Sequence, residues 1–223
     1  MEDINPAAIL AKLELATRNC YKSEDKIEEN SAERLIRNCI KRGHESPLEH
    51  ASVTMRFICD RAVSHELVRH RMASYSQESQ RYCNYSNGKF NNEITFIYPH
   101  WHRDFDSIGY GIVLGELRDE VEDPNAYYRW LAMEDACASA EKTYLYMLRC
   151  GAKPEDARAV LPNCTKTDVV CTMNMRELRH FLRLRTSKGA HPDIRKLAIK
   201  LLDKLNDAGL GVLFEDIEPY VEA

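Results

Sequence analysis

The sequence predicts a single domain of the mixed α/β (α+β) class, with long helices packed on a small mixed or antiparallel sheet. Three observations predict it. Apolar residues recur at spacings of three and four, the helical period, near residues 6–20, 31–42, 124–150, 175–186 and 194–209. Short β-rich runs fall between them at 51–59, 94–98 and 169–173. The chain has 223 residues, 44% hydrophobic and 30% charged, enough for one core spanning 1–223 and too apolar for disorder.

Taken in order, Ala7, Ile9, Leu10, Leu13 and Ala16 form the apolar side of the first helix, and the charged stretch 23–29 is a loop. Asn30 and Glu33 have the spacing of a capping box for a helix through Leu35, Ile36 and Ile40, closed by Gly43. Pro47 disfavours helix at Ser46, so the stretch from His44 to His50 is a turn. Residues 51–59 alternate as a strand. They feed a helix through Ala62, Val63, Leu67 and Val68 that ends in Arg69-His70-Arg71. Ile94–Tyr98 reads as a second strand stopped by Pro99. The glycines at 109, 111 and 115 have one residue too many for a dinucleotide loop, so 100–120 is expected to be a surface excursion.

The longest helix is expected from Pro124 to Cys150, with Pro124 at its first position and Gly151 at its C-terminal cap. Trp130, Met133, Cys137, Ala140, Tyr144 and Met147 form a coiled-coil-like seam, and Tyr127, Leu131, Ala138, Leu145 and Leu148 a second apolar face. Such a helix exceeds what one small domain covers and predicts subunit contacts. Pro154 starts a short helix that Pro162 ends, and a strand through Val169–Met173 precedes a helix from Met175 to about Thr186. There Leu178, Leu182 and Arg185 share one stripe, while Arg176, His180 and Arg183 share another. An unpaired guanidinium on a core-facing stripe is costly, so Arg185 wants either a carboxylate partner or an anionic ligand. The last helix runs through Ile194, Ala198, Leu202 and Leu205 to Gly209.

The net charge of -4 excludes a general affinity for nucleic acid, so any anion site is local. No apolar run approaches membrane-spanning length, and the start Met1-Glu2-Asp3-Ile4 lacks a signal peptide's basic and apolar regions. The eight cysteines include no C-x-x-C pair and read as reduced, mostly buried thiols; a cytoplasmic protein is expected. His44 and His50 are six residues apart, and His65 and His70 five. Neither matches the four-residue spacing of helical zinc ligands, so no metal site is expected.

The most informative stretch is Arg69 to Tyr82: three arginines, a histidine, three serines, two glutamines and two tyrosines in fourteen positions without Gly or Pro. So many polar groups argue against a core strand, since each needs a hydrogen-bond partner if buried. Arginine forks match phosphate oxygens, and Ser and Gln suit a base edge, so the stretch reads as a surface for a planar anionic ligand. Consecutive helical residues point about 100° apart, so Arg69, His70 and Arg71 cannot all face one group. The plainer alternative is that these cations complement a helix C-terminus.

Arg69-His70-Arg71, seven residues, then Ser79 resembles the signature of the flavin-dependent thymidylate synthases, with Ser76-Gln77-Glu78-Ser79-Gln80-Arg81-Tyr82 as a variant of its continuation. The resemblance extends to Gly43–His50, to Ala157-Arg158-Ala159-Val160-Leu161-Pro162, and to Asn174–Leu178 with Leu184-Arg185, covering about residues 30–200. It implies a homotetramer with active sites shared between subunits. The implied activity methylates deoxyuridine monophosphate (dUMP) to dTMP. Methylenetetrahydrofolate is the one-carbon donor, and FAD reduced by NADPH is the hydride source.

By that resemblance, Glu66, Arg69, Gln77, Glu78, Ser79, Gln80, Arg81, Arg158 and Arg185 surround dUMP, with Arg185 as the catalytic group beside N3 of uracil. Ser46, Arg69, His70, Arg71, Gln77, Asn174, Arg176 and His180 hold FAD. Ser79 has no activating base nearby in sequence and is read as a ligand contact, not a nucleophile. No cysteine sits in a recognisable nucleophile motif. Departures from the family pattern fall at Ser76-Gln77, where many members have Asn-Glu, at Gly189, at His180, and at Ala190-His191-Pro192-Asp193-Ile194. The competing reading is a non-catalytic nucleotide- or RNA-binding oligomer using Arg69, Arg71, Arg81 and the Arg176–Arg185 helix as a basic surface, with steep salt dependence and no chromophore.

Overall fold

The structure is a computed structural model and describes residues 4–101 and 125–221. Its elements in order are α1 (Pro6–Tyr21), α2 (Ser31–Lys41), β1 (Ser52–Asp60), α3 (Arg61–Leu67), β2 (Ala73–Gln77), α4 (Ala126–Arg149), α5 (Pro154–Ala157), β3 (Lys166–Asn174), α6 (Met175–Arg185) and α7 (Pro192–Leu205). This is the expected mix of helices and one small sheet. The contacts divide the chain into two compact units: residues 1–58, 63–77 and 168–223 form the first, 59–62 and 78–167 the second.

The first unit is built on the sheet, whose order is β1-β3-β2. β2 runs antiparallel to β3, in a register that sets Tyr75 opposite Cys171 and Ser74 opposite Thr172. The strand period of two sorts side chains by face. Val53, Met55 and Phe57 of β1 and Val169, Cys171 and Met173 of β3 are buried. On the other face Thr54 and Thr172 share a 2.9 Å hydrogen bond, and Arg56 donates to both oxygens of Asp168.

α6 follows β3 without a loop because Asn174 caps it, its Oδ1 accepting from the Glu177 amide at 2.9 Å. Leu178, Phe181 and Leu182 are fully buried, and so is Arg179, a charged residue that no sequence pattern marks for the interior. Arg179 donates to both oxygens of Asp216, to Glu45 and to the Leu213 carbonyl. Gly43 ends α2 with φ near +72°, a backbone state other residues reach at a cost, and His44 N closes the turn on the Cys39 carbonyl.

The second unit is built on α4, which at 1.5 Å per residue is about 36 Å long. The seam predicted for it is the buried side: Trp130, Cys137 and Tyr144 are buried, with Met133, Ala140 and Met147 half-buried between them. Tyr144 packs with Tyr85, Ile94 and Ala157. Gly151 ends the helix at φ +91°, as expected, and Ala152 N reaches back to the Met147 carbonyl. Pro124, expected at its first position, and the glycines at 109–115 lie outside the described residues.

Three expectations are corrected. The helix through Val63 stops at Leu67, and Ala73–Gln77 is a strand. The polar residues did not forbid it because β2 is an edge strand, with Ser74 and Ser76 exposed. The capping box at Asn30 does not form. Asn30 is left-handed and makes no cap, while Ser31 Oγ accepts from Glu28 N and donates to Glu14. Ile94–Tyr98 is not a strand but a single bridge, Phe96 to Thr165.

Candidate functional site

In the first unit the signature occupies the turn from α3 into β2. Val68, Arg69 and His70 amides donate back to the carbonyls of Ser64, Glu66 and Leu67. This winds the backbone so that Arg69 and Arg71 point outward, while His70 is buried with 4% of its surface exposed. The three side chains differ in burial because of this turn, not because of a helical step, since the helix ends at Leu67. The guanidinium groups of Arg69 and Arg71 form no ion pair or hydrogen bond among the described residues. Most other arginines here are neutralised: Arg37, Arg56, Arg81, Arg176, Arg179, Arg183 and Arg185 each hold a carboxylate.

His70 sits edge-on to Phe181, with ring centres 4.9 Å apart, and 5.6 Å from the ring of His180. Arg185 Nε donates to His70 Nε2 at 3.1 Å. Arg185 also donates to Glu66, through Nη1 to the carboxylate at 2.5 Å and through Nη2 to the carbonyl at 3.0 Å. Glu66 is therefore the carboxylate partner expected of Arg185. A guanidinium has five N–H donors, so three are committed and two remain for a ligand. Burial, then Arg185 and His180 beside it, push His70 down to about 4, so its ring is neutral at pH 7.

Ligand atoms of His70, Glu177 and His180 lie within 4.8 Å of one another, a grouping that can hold a metal. The hydrogen bonds oppose that use. Since Nε2 accepts from Arg185, the proton of neutral His70 is on Nδ1, which cannot then coordinate a cation. That buried Nδ1 has no hydrogen-bond partner, although Glu177 Oε1 is 3.4 Å away. It is a donor waiting for an acceptor.

Of the other first-unit candidates, Gln77, Asn174 and Arg176 have partners of their own, and Ser46 and Arg176 line a cleft that contains no residue of this turn. Gln77 Nε2 donates to Ser64 Oγ at 2.9 Å. Asn174 caps α6 through its oxygen, so its NH2 donors point elsewhere. Arg176 holds Glu49 at 2.5 Å and, with Ser46, His44 and Glu45, lines an open cleft of about 380 Å³. His180 is exposed.

In the second unit Glu78 is committed on both oxygens, to Tyr85 at 2.8 Å and Lys166 at 2.9 Å. Ser79 caps a turn, its Oγ accepting from Arg81 N and its carbonyl from Tyr82 and Cys83. Gln80 is half-buried. Arg81 is exposed, lies over the Tyr82 ring and pairs with Glu155 at 2.8 Å. Arg158 donates to the Glu155 carbonyl. The Arg81 guanidinium holds the Glu155 carboxyl below its usual range. Sequence reasoning missed Glu155, Lys166 and Glu177, which act on residues distant in the chain, and Tyr75, which acts on nearby backbone carbonyls and not on a ligand.

Two exposed arginines without an ion pair among the described residues flank a buried neutral imidazole, with the Arg185 guanidinium beside it, a surface of the kind that suits an anionic ligand. The comparisons with known proteins identify the family. The family model described as thymidylate synthase complementing protein matches residues 8–208. A flavin-dependent thymidylate synthase of Pyrococcus furiosus is 35% identical over 201 residues, 90% of this chain and 70% of that protein. One of Pyrococcus abyssi is 37% identical over 184 residues, 82% of this chain and 66% of its own. One of Geobacter sulfurreducens is 35% identical over 216 residues, 94% of this chain and 82% of its own. The chain belongs to the thymidylate synthase complementing protein family, the flavin-dependent thymidylate synthases.

Proposed function

We propose that this chain makes dTMP by reductive methylation of dUMP at C5, with methylenetetrahydrofolate as one-carbon donor and FAD, reduced by NADPH, as cofactor. Two exposed arginines without partners among the described residues, flanking a buried imidazole donor without a hydrogen bond among them, carry the reading on the structural side. Both kinds of group fit a cofactor with a pyrophosphate and a polar ring system. Ser46, Arg69, His70, Arg71, Gln77, Asn174, Arg176 and His180 would hold it. When bound, the flavin supplies the hydride that completes the methyl group.

The protein's own part is binding and electrostatics. The two uncommitted donors of Arg185 suit the N3 edge of uracil, where a cation favours the ring anion and so enriches C5 in electrons. Glu66 and His70 hold that guanidinium in place. Arg81 suits the phosphate, which would take over the place of the Glu155 carboxylate. Arg81→Ala should therefore weaken dUMP binding roughly 10- to 100-fold, the loss of one charge-assisted contact, as read by titration of the nucleotide. Glu66, Arg69, Gln77, Glu78, Ser79, Gln80 and Arg158 complete the nucleotide's surroundings in this reading. Ser79 serves there as a contact; the Oγ accepts from Arg81 N, and no base among the described residues hydrogen-bonds to it. The same reading makes the chain a cytoplasmic homotetramer. No described helix is long and apolar enough to cross a membrane.

The test is the visible spectrum of the protein after adding FAD and removing the excess. Retained flavin bands that bleach with NADPH, faster when dUMP is present, are expected. An Arg69→Ala, Arg71→Ala double variant should retain much less colour at unchanged far-UV circular dichroism. A wild-type chain that stays colourless and fails to bind dUMP would overturn the reading.

A further inference from the structure

The turn that carries Arg69, His70 and Arg71 has a fastener on the sheet. Tyr75 stands on β2, opposite Cys171 of β3. Its hydroxyl donates to two carbonyls at once, Leu67 at 2.7 Å and His70 at 2.9 Å. These carbonyls bracket the turn: Leu67 is the last residue of α3, and His70 is the buried centre of the signature. A helix ends with carbonyls that lack intrahelical partners, and here a side chain from the next strand takes two acceptors of that region. One proton shared between two acceptors holds both ends of the turn at a fixed separation. Burial is the first cause that raises the Tyr75 phenol above its usual range, so it stays a donor at any working pH.

We propose that Tyr75 is a positioning residue for the cofactor and for Arg185, acting through the backbone of the Arg69–Arg71 turn. The consequences run in two directions. Outward, the turn sets the directions in which Arg69 and Arg71 diverge. Inward, it sets the His70 ring, which accepts from Arg185 Nε at 3.1 Å and so helps to aim that guanidinium. Apart from Tyr75 the turn's backbone is wound by its own amides at 3.1 to 3.3 Å, and its His70 ring is held from α6 by Arg185 and Phe181; none of these contacts ties it to the sheet. The cofactor half of this inference rests on the proposed function; the ordering of the turn does not.

Tyr75→Phe tests it, because it removes the hydroxyl and keeps the ring that packs. Two measurements are made. Hydrogen exchange of residues 67–72 is followed on the ligand-free chain, and FAD affinity is measured by titration. The expected result is faster exchange confined to 68–72, a melting temperature within a few degrees of wild type, and FAD binding weakened roughly 3- to 10-fold, the range of one lost hydrogen bond. Wild-type exchange in the turn would overturn the proposal. So would faster exchange spread over β2 and β3 with a large fall in melting temperature, which is the mark of a merely structural tyrosine. Unchanged FAD affinity despite a loosened turn would overturn the positioning of the cofactor. If the wild-type chain bound no FAD, the functional reading would fail, and the exchange data would still decide whether Tyr75 orders the turn.

Discussion

Arg185→Ala is expected to lower the turnover of dUMP roughly 10²- to 10³-fold, the cost of removing one donor aimed at developing charge. The residue is placed for that effect. It ends the apolar stripe of α6, which fixes its backbone, and three of its five donors are used by Glu66 and His70. The remaining two, one on Nη1 and one on Nη2, belong to a guanidinium already held by those bonds. Arg185→Lys keeps the charge but replaces a planar fork with a point donor, and it cannot serve Glu66, His70 and a ligand together. It should recover dUMP affinity in part and turnover hardly at all. Steady-state kinetics with dUMP titration check this, and a melting curve shows whether the variants fold. Glu66 is partly exposed and can rehydrate, so a folded variant is expected.

The second large effect is on stability. Arg179→Ala removes a guanidinium with no exposed side-chain surface that holds Asp216 at 2.8 Å, Glu45 at 3.4 Å and the Leu213 carbonyl. Breaking a buried pair from one side costs about 3–5 kcal/mol. Asp216 is 43% exposed and recovers some hydration, so the low end applies. A loss of about 3 kcal/mol in a chain of this size lowers the melting temperature by roughly 6–12 °C. The pH dependence follows from Asp216. Hydrogen bonding to Arg179 first, and Arg183 after it, hold its pKa at about 2 against an ordinary 3.8. A lowered carboxylate pKa contributes stability that is complete above the unfolded value and is lost as pH falls through the folded one. Wild type should therefore lose this contribution between about pH 4 and pH 2, and most of that loss should be missing from Arg179→Ala. Thermal melts across that range measure it. Arg179→Met fills the space without a charge and should be less harmful than Ala.

What the sequence could reveal was local. The 3.6-residue period placed α1, α4, α6 and α7. Gly43 and Gly151 marked helix ends because only a left-handed residue fits there. The 100° step assumed a helix through Arg71; the helix ends at Leu67, and it is the turn after it that leaves Arg69 and Arg71 exposed and His70 buried. The apolar stripe of α6 foretold that Arg185 needed a partner, though not that Glu66, 119 residues away, would provide it. Long-range choices of that kind leave no local trace. β2 was hidden for a related reason: Ala73–Gln77 alternates in exposure, but it is short and rich in Ser and Gln, and the ladder that makes it a strand comes from the distant β3. The Asn30 cap failed because Ser31, one residue on, has Glu14 of another helix to bind. Tyr75 and Glu177 went unnoticed because they touch His70, not a ligand.

The central claim is the chemistry, and product formation tests it most directly. Purified protein is incubated with dUMP, methylenetetrahydrofolate, FAD and NADPH, and nucleotides are separated by chromatography. dTMP is expected in the complete mixture and should be absent when the folate is left out, or when FAD and NADPH are left out together. A chain that holds flavin and dUMP yet makes no dTMP in the complete mixture would contradict the assignment.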